Sequence, residues 1–275
     1  MDYVKENVQM LLGYDFKAFD KFPDFKMLAT ALAIMFRLGF KLRYTIEELV
    51  DMITLTDEFG NPIINYNRTL LMIIGSVPSG HNLTTILNSI INALLSRCAF
   101  CELWLTTRGE MPTKTFRECI HETHYGDDAL GCRTEACPIP YSNIYFRDWC
   151  ARHNIVITPP QKDAEFTEFL SEDQADFLKR KSNYVPELGV EVGALELDSL
   201  RKPLYARIPS VATDTEHIMS VVATMLAEAM LHGSEVYEDF RQKAIQLGTK
   251  IGITFPATKF TFTARAEAWH EKFGR

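Results

Sequence analysis

Several features are missing from this sequence, and each absence excludes a class of protein. The formal charge is −7 over 275 residues, so no overall cationic footprint points to a stand-alone polyanion binder. The longest apolar run, Leu28 to Phe40, is interrupted by Arg37 and is too short to cross a bilayer. The opening residues carry no cationic segment followed by an apolar one, so no signal peptide is expected. Six cysteines spread over such a length make no disulfide framework, and a reducing compartment is the expectation. No repeat or low-complexity tract is visible. What is left has the composition of an ordinary soluble globular protein, long enough for one large domain or two smaller ones.

The patterning predicts an α/β part to about residue 190 and a helical part after it. Val8–Asp15 reads as a buried strand ending in an acid. A helix follows Pro23, with Phe25, Leu28, Leu32, Met35 and Phe36 at helical spacing toward a core. Thr45-Ile-Glu-Glu48 is a capping box for a second helix. Pro62–Asn65 and Leu70–Ile74 suit a hairpin. The turn-rich stretch Gly75–Gly80 leads into a helix unusually rich in Thr and Asn, where Thr84 and Asn88 lie one turn apart on the same face. Helix interiors disfavour such residues unless their side chains have partners, so a hydrogen-bonding surface for a ligand competes with simple capping. Ser142 caps a helix through Trp149, Val156–Thr158 reads as a strand, and Phe177–Arg180 as another. Thr213-Asp-Thr-Glu216 is a second capping box, opening a long helix toward Gly233, and Ser234 starts the next.

Between them lies His124-Tyr-Gly-Asp-Asp128, which reads as a hairpin over about Cys119–Cys132 with two acids at its tip. Adjacent carboxylates repel, and want bulk water or a hard divalent cation such as Mg²⁺. Average residue usage produces Gly-Asp-Asp by chance in about one chain in twenty of this length, so the turn has weight only in company. It has company. Asp15-x4-Asp20, Pro78-Ser-Gly80 with Thr84 and Asn88, Tyr125-Gly-Asp-Asp128, Ile155–Lys162 and Phe177-Leu-Lys-Arg180 follow one another in order. This ordered set resembles motifs A to E of viral RNA-dependent RNA polymerases of picorna-like positive-strand viruses. The run Pro186–Leu200 is more similar to insect or marine members than to enteroviruses.

The resemblance implies an α+β fold: a palm over 1–190, with an antiparallel sheet backed by helices, then an all-α thumb over 191–275. It implies two-metal ribonucleotidyl transfer, with Asp15, Asp127, Asp128 and Lys162 as catalytic residues. The metal ligands would be Asp15, the Phe16 carbonyl, Asp127 and Asp128, holding Mg²⁺, for which Mn²⁺ can substitute. Asp20, Thr84 and Asn88 would sense the ribose 2′-hydroxyl, and Ser79 and Gly80 would let backbone approach the templating base pair. Lys162 would protonate the leaving pyrophosphate. Leu178, Lys179 and Arg180 would hold the primer backbone. Implied partners are an RNA template and primer, ribonucleoside triphosphates, a viral protein primer and an upstream fingers domain of the same polyprotein. That domain carries the basic motif absent here, and the chain is expected to be a fragment. The implied location is the host cytoplasm, at membrane-associated replication complexes. A reverse-transcriptase palm and a non-catalytic RNA-binding or scaffold module are the alternatives.

Two features fit this resemblance less well. The strand Ile120-His-Glu-Thr-His124 is more polar than such polymerases carry before the turn, so it should either expose one face or line the RNA channel. Cys98-x2-Cys101 with Cys119, His121 and His124 has zinc-like residue types, but the helix and strand spacing separates them, and they read as core or surface residues. Cys132 and Cys137 can approach each other without a bond in a reducing compartment.

Overall fold

The computed structural model describes residues 3–19, 25–60, 62–72, 83–161, 164–205, 209, 211–255 and 260–274. Asp20, Ser79, Gly80 and Lys162 lie outside the described residues. The chain divides into two compact units, Met1–Leu178 and Lys179–Arg275.

The first unit is built on β1 (Leu11–Phe16), whose Leu11, Leu12, Tyr14 and Phe16 are all buried. Residues of both parities are covered, as a strand inside a sheet with both faces packed requires. The strand starts later than the sequence suggests. Asn7 accepts the Gln9 N–H at 3.2 Å and winds Val8–Met10 into a 3-10 turn first. α1 (Phe25–Lys41), α2 (Ile46–Gly60) and the hairpin β2 (Ile63–Tyr66) with β3 (Thr69–Met72) follow. The capping box at Thr45 forms, with Glu48 Oε2 accepting the Thr45 N–H at 2.7 Å. On α1, Leu28 and Leu32 face the core as expected, but Phe25 is exposed. Helical side chains lean toward the N-terminus, so a first-turn Phe reaches past the packed stripe.

α3 (Thr84–Arg108) is the spine of this unit, burying Leu87, Ile91, Leu95, Phe100 and Trp104 among others. By length and composition alone it could cross a membrane, yet half of its most apolar window is buried inside the protein, as befits a core helix. α4 (Phe116–Cys119), β4 (Ile120–Tyr125), β5 (Asp128–Arg133), α5 (Asn143–Arg152) and β6 (Ile157–Thr158) complete the unit. The sheet order is β4-β5-β1-β6, with every pairing antiparallel.

The second unit opens with a hairpin, β7 (Arg180–Val185) and β8 (Val190–Leu195), and continues as α6 (Leu197–Arg201), α7 (Asp214–Ala229), α8 (Ser234–Ile251) and α9 (Phe262–Phe273). The strand expected over Phe177–Arg180 begins only at Arg180. Leu178 and Lys179 have φ of 57° and 59°, a left-handed backbone that a strand cannot hold. Thr213 and Glu216 form their capping box ahead of α7. Val185, Leu188, Leu200, Val222, Leu226, Tyr237 and Phe240 make a second core.

Arg180, assigned to primer contact by resemblance, is occupied within this unit. Its guanidinium donates to both Glu228 oxygens, each at 2.8 Å, and to the Gly193 carbonyl at 2.8 Å. The fork ties the β7–β8 hairpin to α7, and Glu228 draws the Arg180 pKa above its ordinary value. Glu228→Gln should therefore cost about 1 kcal/mol of stability, since a partly exposed two-pronged pair sits near the top of the range for surface ion pairs. Urea unfolding of the two proteins checks this.

Candidate active site

The two acids of the motif sit where the hairpin requires them. β4 and β5 pair from Ile120↔Arg133 to Tyr125↔Asp128, leaving Gly126 and Asp127 as the connecting turn. Gly126 has φ of 67°, which a glycine adopts without penalty. On the other side, β5 pairs with β1 through Tyr14↔Ala129. One step further along that register, Asp15 comes level with Asp128. The sheet thus brings together two acids more than 110 residues apart in sequence.

The electrostatics of Asp128 fit this register. Burial first, and then Asp127, Asp15 and Asp176, push the half-buried Asp128 carboxyl above its ordinary range, while the Leu178 N–H donates to it and pulls the other way. Such mutual repulsion is what a bound cation relieves. The donor set is all hard oxygen, and suits Mg²⁺ or Mn²⁺ better than softer metals. Among the described residues, no three His, Cys, Asp or Glu side chains form a ready-made metal cage. Mg²⁺ needs none, because it is usually held by one or two carboxylates together with substrate phosphates. The residues present fit the ion, which Asp15 and Asp127 could hold with Asp128 beside them.

Of these acids, Asp127 and Asp128 open onto a cavity of about 500 Å³ that is also lined by Phe19, Thr84, Asn88, Tyr125 and Leu178. Thr84 and Asn88, paired on one face of α3 in the sequence reading, both reach it. Asn88 is buried, and its Oδ1 has no hydrogen-bond partner among the described residues. A buried acceptor without a partner is costly, and a ligand hydroxyl is the natural remedy. Lys179 is exposed and Leu178 lines the cavity.

Sequence reasoning missed the residues that hold the turn from behind. Ser89 Oγ accepts the Gly126 N–H at 2.8 Å. Asn92, fully buried, donates to the carbonyls of Gly126 and Asp127. The signal was available, since Asn92 lies one turn beyond Asn88 in a helix otherwise apolar there. The backbone N–H of Leu178 and the carboxylate of Asp176 carried no sequence signal at all.

The polar strand β4 behaves differently from either expectation. It neither exposes its polar face nor opens it to a channel: Glu122 and His124 are buried, with 1% and 8% of their side chains exposed. The zinc-like residues are scattered. Cys98 and Cys101 are exposed on α3, His121 stacks on Tyr3 and pairs with Glu6, and His124 faces Glu122. Cys137 approaches Cys119 rather than Cys132, and burial followed by that neighbour pushes the Cys119 thiol up to about 12.

Comparison with known proteins agrees with this geometry. The family described as "Viral RNA-dependent RNA polymerase" matches residues 2–247. The chain is 26% identical over 184 residues to the replicase polyprotein of Drosophila C virus (strain EB), covering 66% of this chain and 10% of that polyprotein. It is 27% identical over 227 residues to the RNA1 polyprotein of Cycas necrotic stunt virus, covering 77% of this chain and 9% of the other. The chain therefore spans about a tenth of the length of these relatives. The solved Sicinivirus 3Dpol RNA dependent RNA polymerase shares the fold, with a TM-score of 0.70 at 16% identity, over 95% of this chain and 51% of that one. A family match across most of the chain, on an α+β polymerase fold with its acids juxtaposed, settles the membership: this chain belongs to the viral RNA-dependent RNA polymerase family.

Proposed function

We propose that this chain carries the palm and thumb of an RNA-directed RNA polymerase that replicates the genome of a positive-strand RNA virus. The observation that carries the reading is one cavity lined by Asp127, Asp128 and Asn88, whose Oδ1 is unpartnered among the described residues. Acids suited to phosphoryl transfer beside an oxygen able to accept from a sugar hydroxyl support this reading. In this reading the palm is the first unit and the thumb the second. The boundary then falls at Leu178 and Lys179, earlier than residue 190, because Val185 and Leu188 pack into the core of the second unit.

The reaction joins a primer 3′-hydroxyl to the α-phosphorus of a ribonucleoside triphosphate, and the bond to pyrophosphate breaks. When bound, Mg²⁺ supplies a lowered pKa for that hydroxyl and neutralises charge on the triphosphate. Asp15 and Asp127 would hold the cation, with the Phe16 carbonyl as a further oxygen. Asp128, anchored by the Leu178 N–H, adds negative potential without facing solvent fully. Asn88 and Thr84, with Asp20, take the 2′-hydroxyl, which both donates and accepts. Ser79 and Gly80 border the templating pair, and Lys162 gives the proton to pyrophosphate. Leu178 and Lys179 carry the primer contact, whereas Arg180 is spent on Glu228. The basic fingers element is proposed to come from adjoining polyprotein sequence, and a viral protein primer and membrane-associated replication complexes complete the setting.

Incorporation of NTP against dNTP, with the fingers sequence present, tests the ribose reading. Asn88→Ala should narrow discrimination by about 10–100-fold, the worth of one or two lost hydrogen bonds to a substrate hydroxyl. Equal discrimination in wild type and variant would remove Asn88 from the sugar site. A wild-type preference for dNTP would favour the reverse-transcriptase alternative.

A further inference from the structure

Behind the Gly126-Asp127 turn runs a file of buried polar groups that the phosphoryl-transfer reading does not use. Glu122 and His124 lie two apart on β4 and so share a face. His124 Nε2 is 3.1 Å from Glu122 Oε2, close enough for charge attraction though not aligned as a hydrogen bond. Burial opposes ionising Glu122, but His124 and hydrogen bonds from Tyr14 and Ser96 outweigh it, and the carboxyl is held below its ordinary range. The Tyr14 hydroxyl lies 2.9 Å from Glu122 Oε1, 2.9 Å from Ser96 Oγ and 3.1 Å from Asn92 Oδ1. Its proton is shared between the Glu122 carboxylate and the Asn92 carbonyl. Burial, then Glu122, pushes the Tyr14 pKa well up, so the hydroxyl keeps that proton.

Asn92 continues the file. Its amino group donates to the Gly126 carbonyl at 3.3 Å and the Asp127 carbonyl at 3.1 Å. Flipping the amide would set its oxygen against both carbonyls, so its orientation is fixed. Ser89 Oγ, which accepts the Gly126 N–H, donates in turn to the Thr85 carbonyl at 2.7 Å. The turn is thereby tied at three backbone atoms to α3. Through Asn92 it is also tied to Tyr14, the residue before Asp15. One network holds the turn's backbone and the side chain next to Asp15.

We propose that Asn92 and Tyr14, braced by Glu122 and His124, are positioning residues that fix the spacing between Asp15 and the Gly-Asp-Asp turn. The proposal rests on the reading of Asp15 and Asp127 as the metal-holding pair. Like charges at the tip push the turn away from β1, and the network resists that displacement before any cation arrives. A buried carboxylate is costly where apolar packing would serve. A polar network in the interior earns its place by specifying one arrangement.

Two readouts on the full chain test this: amide hydrogen exchange over Gly126–Asp128, and Mn²⁺ affinity by electron paramagnetic resonance. Asn92→Ala and the volume-conserving Tyr14→Phe should speed exchange at the turn about tenfold or more. They should weaken Mn²⁺ binding by about 10–100-fold, the usual cost of removing support from metal ligands. Trp149→Phe, a change in the buried face of α5, should leave both readouts at wild-type values. If neither Asn92→Ala nor Tyr14→Phe alters exchange at the turn, the positioning role is overturned. The same holds if exchange quickens while Mn²⁺ affinity stays put. A wild-type Mn²⁺ affinity indifferent to Asp127→Asn overturns the metal reading instead, with turn exchange still deciding whether the network braces the turn.

Discussion

Asp127→Asn should abolish Mg²⁺-dependent primer extension, by about 10³-fold or more, in a chain that stays folded. The amide matches the carboxylate in size, and Asp127 is exposed at the turn, so no packing is lost. What disappears is one negative charge at the point where a cation must be held against a triphosphate. Removing a single preorganised electrostatic contact to a transition state already costs about 10²–10³-fold, and a metal-holding carboxylate does more than one hydrogen bond. The change should also relieve Asp128, whose carboxyl is held up by Asp127 after burial. Thermal stability should therefore be unchanged or slightly higher. That combination separates a chemical defect from an unfolded one. Asp128→Asn should be milder in rate, because the Leu178 N–H can still donate to the amide oxygen. Single-turnover extension with the fingers sequence present, alongside a melting curve, checks all three statements. Elongation by Asp127→Asn at the wild-type rate would refute the metal assignment.

The resemblance singled out these acids, and the reasons their patterns survive in the fold are physical. A strand that ends in Asp and a two-residue turn carrying Asp are local patterns, and the antiparallel sheet converts them into neighbours through register alone. The pair on α3 was legible for a similar reason, since Thr84 and Asn88 share a face wherever the helix goes. The capping boxes at Thr45 and Thr213 were legible because their bonds span three residues. The buried polarity of β4 was not. Polar residues in a strand ordinarily mean exposure, and only the tertiary packing shows that Tyr14 and Ser96 are there to hydrogen-bond Glu122. The partner of Arg180 was not legible either. A cation in a motif suggests a phosphate, but Glu228 is 48 residues away and leaves no local trace. The strand drawn over Phe177–Arg180 failed because nothing in Leu178 or Lys179 announces a left-handed backbone.

Gly131→Ala should be the most damaging small substitution in the first unit. Gly131 lies in β5, the strand that joins β4 to β1, and faces Glu122 on one side and Leu12 on the other. A β-carbon there would collide with the His121 carbonyl oxygen and stand 2.8 Å from the Glu122 Cα. Both obstacles are backbone, so no side chain can swing aside. Retreating from β4 would press β5 into β1, so the added methyl must strain one ladder or the other. Overpacking of this kind costs about 3 kcal/mol at the upper end of its usual range. In a unit of this size that lowers the melting temperature by about 6–12 °C. Gly109 gives the contrast. It closes α3 with φ of 74°, yet a β-carbon there meets nothing within 4 Å. Gly109→Ala should cost only the dihedral penalty, about 1 kcal/mol. Equal melting points for the two variants would show that β4 and β5 have room to part. The damage should also reach the chemistry. Shifting β5 against β1 moves Asp128 and the Asp127 turn relative to Asp15, so Mn²⁺ affinity should fall in Gly131→Ala and hold in Gly109→Ala, at a temperature where both remain folded.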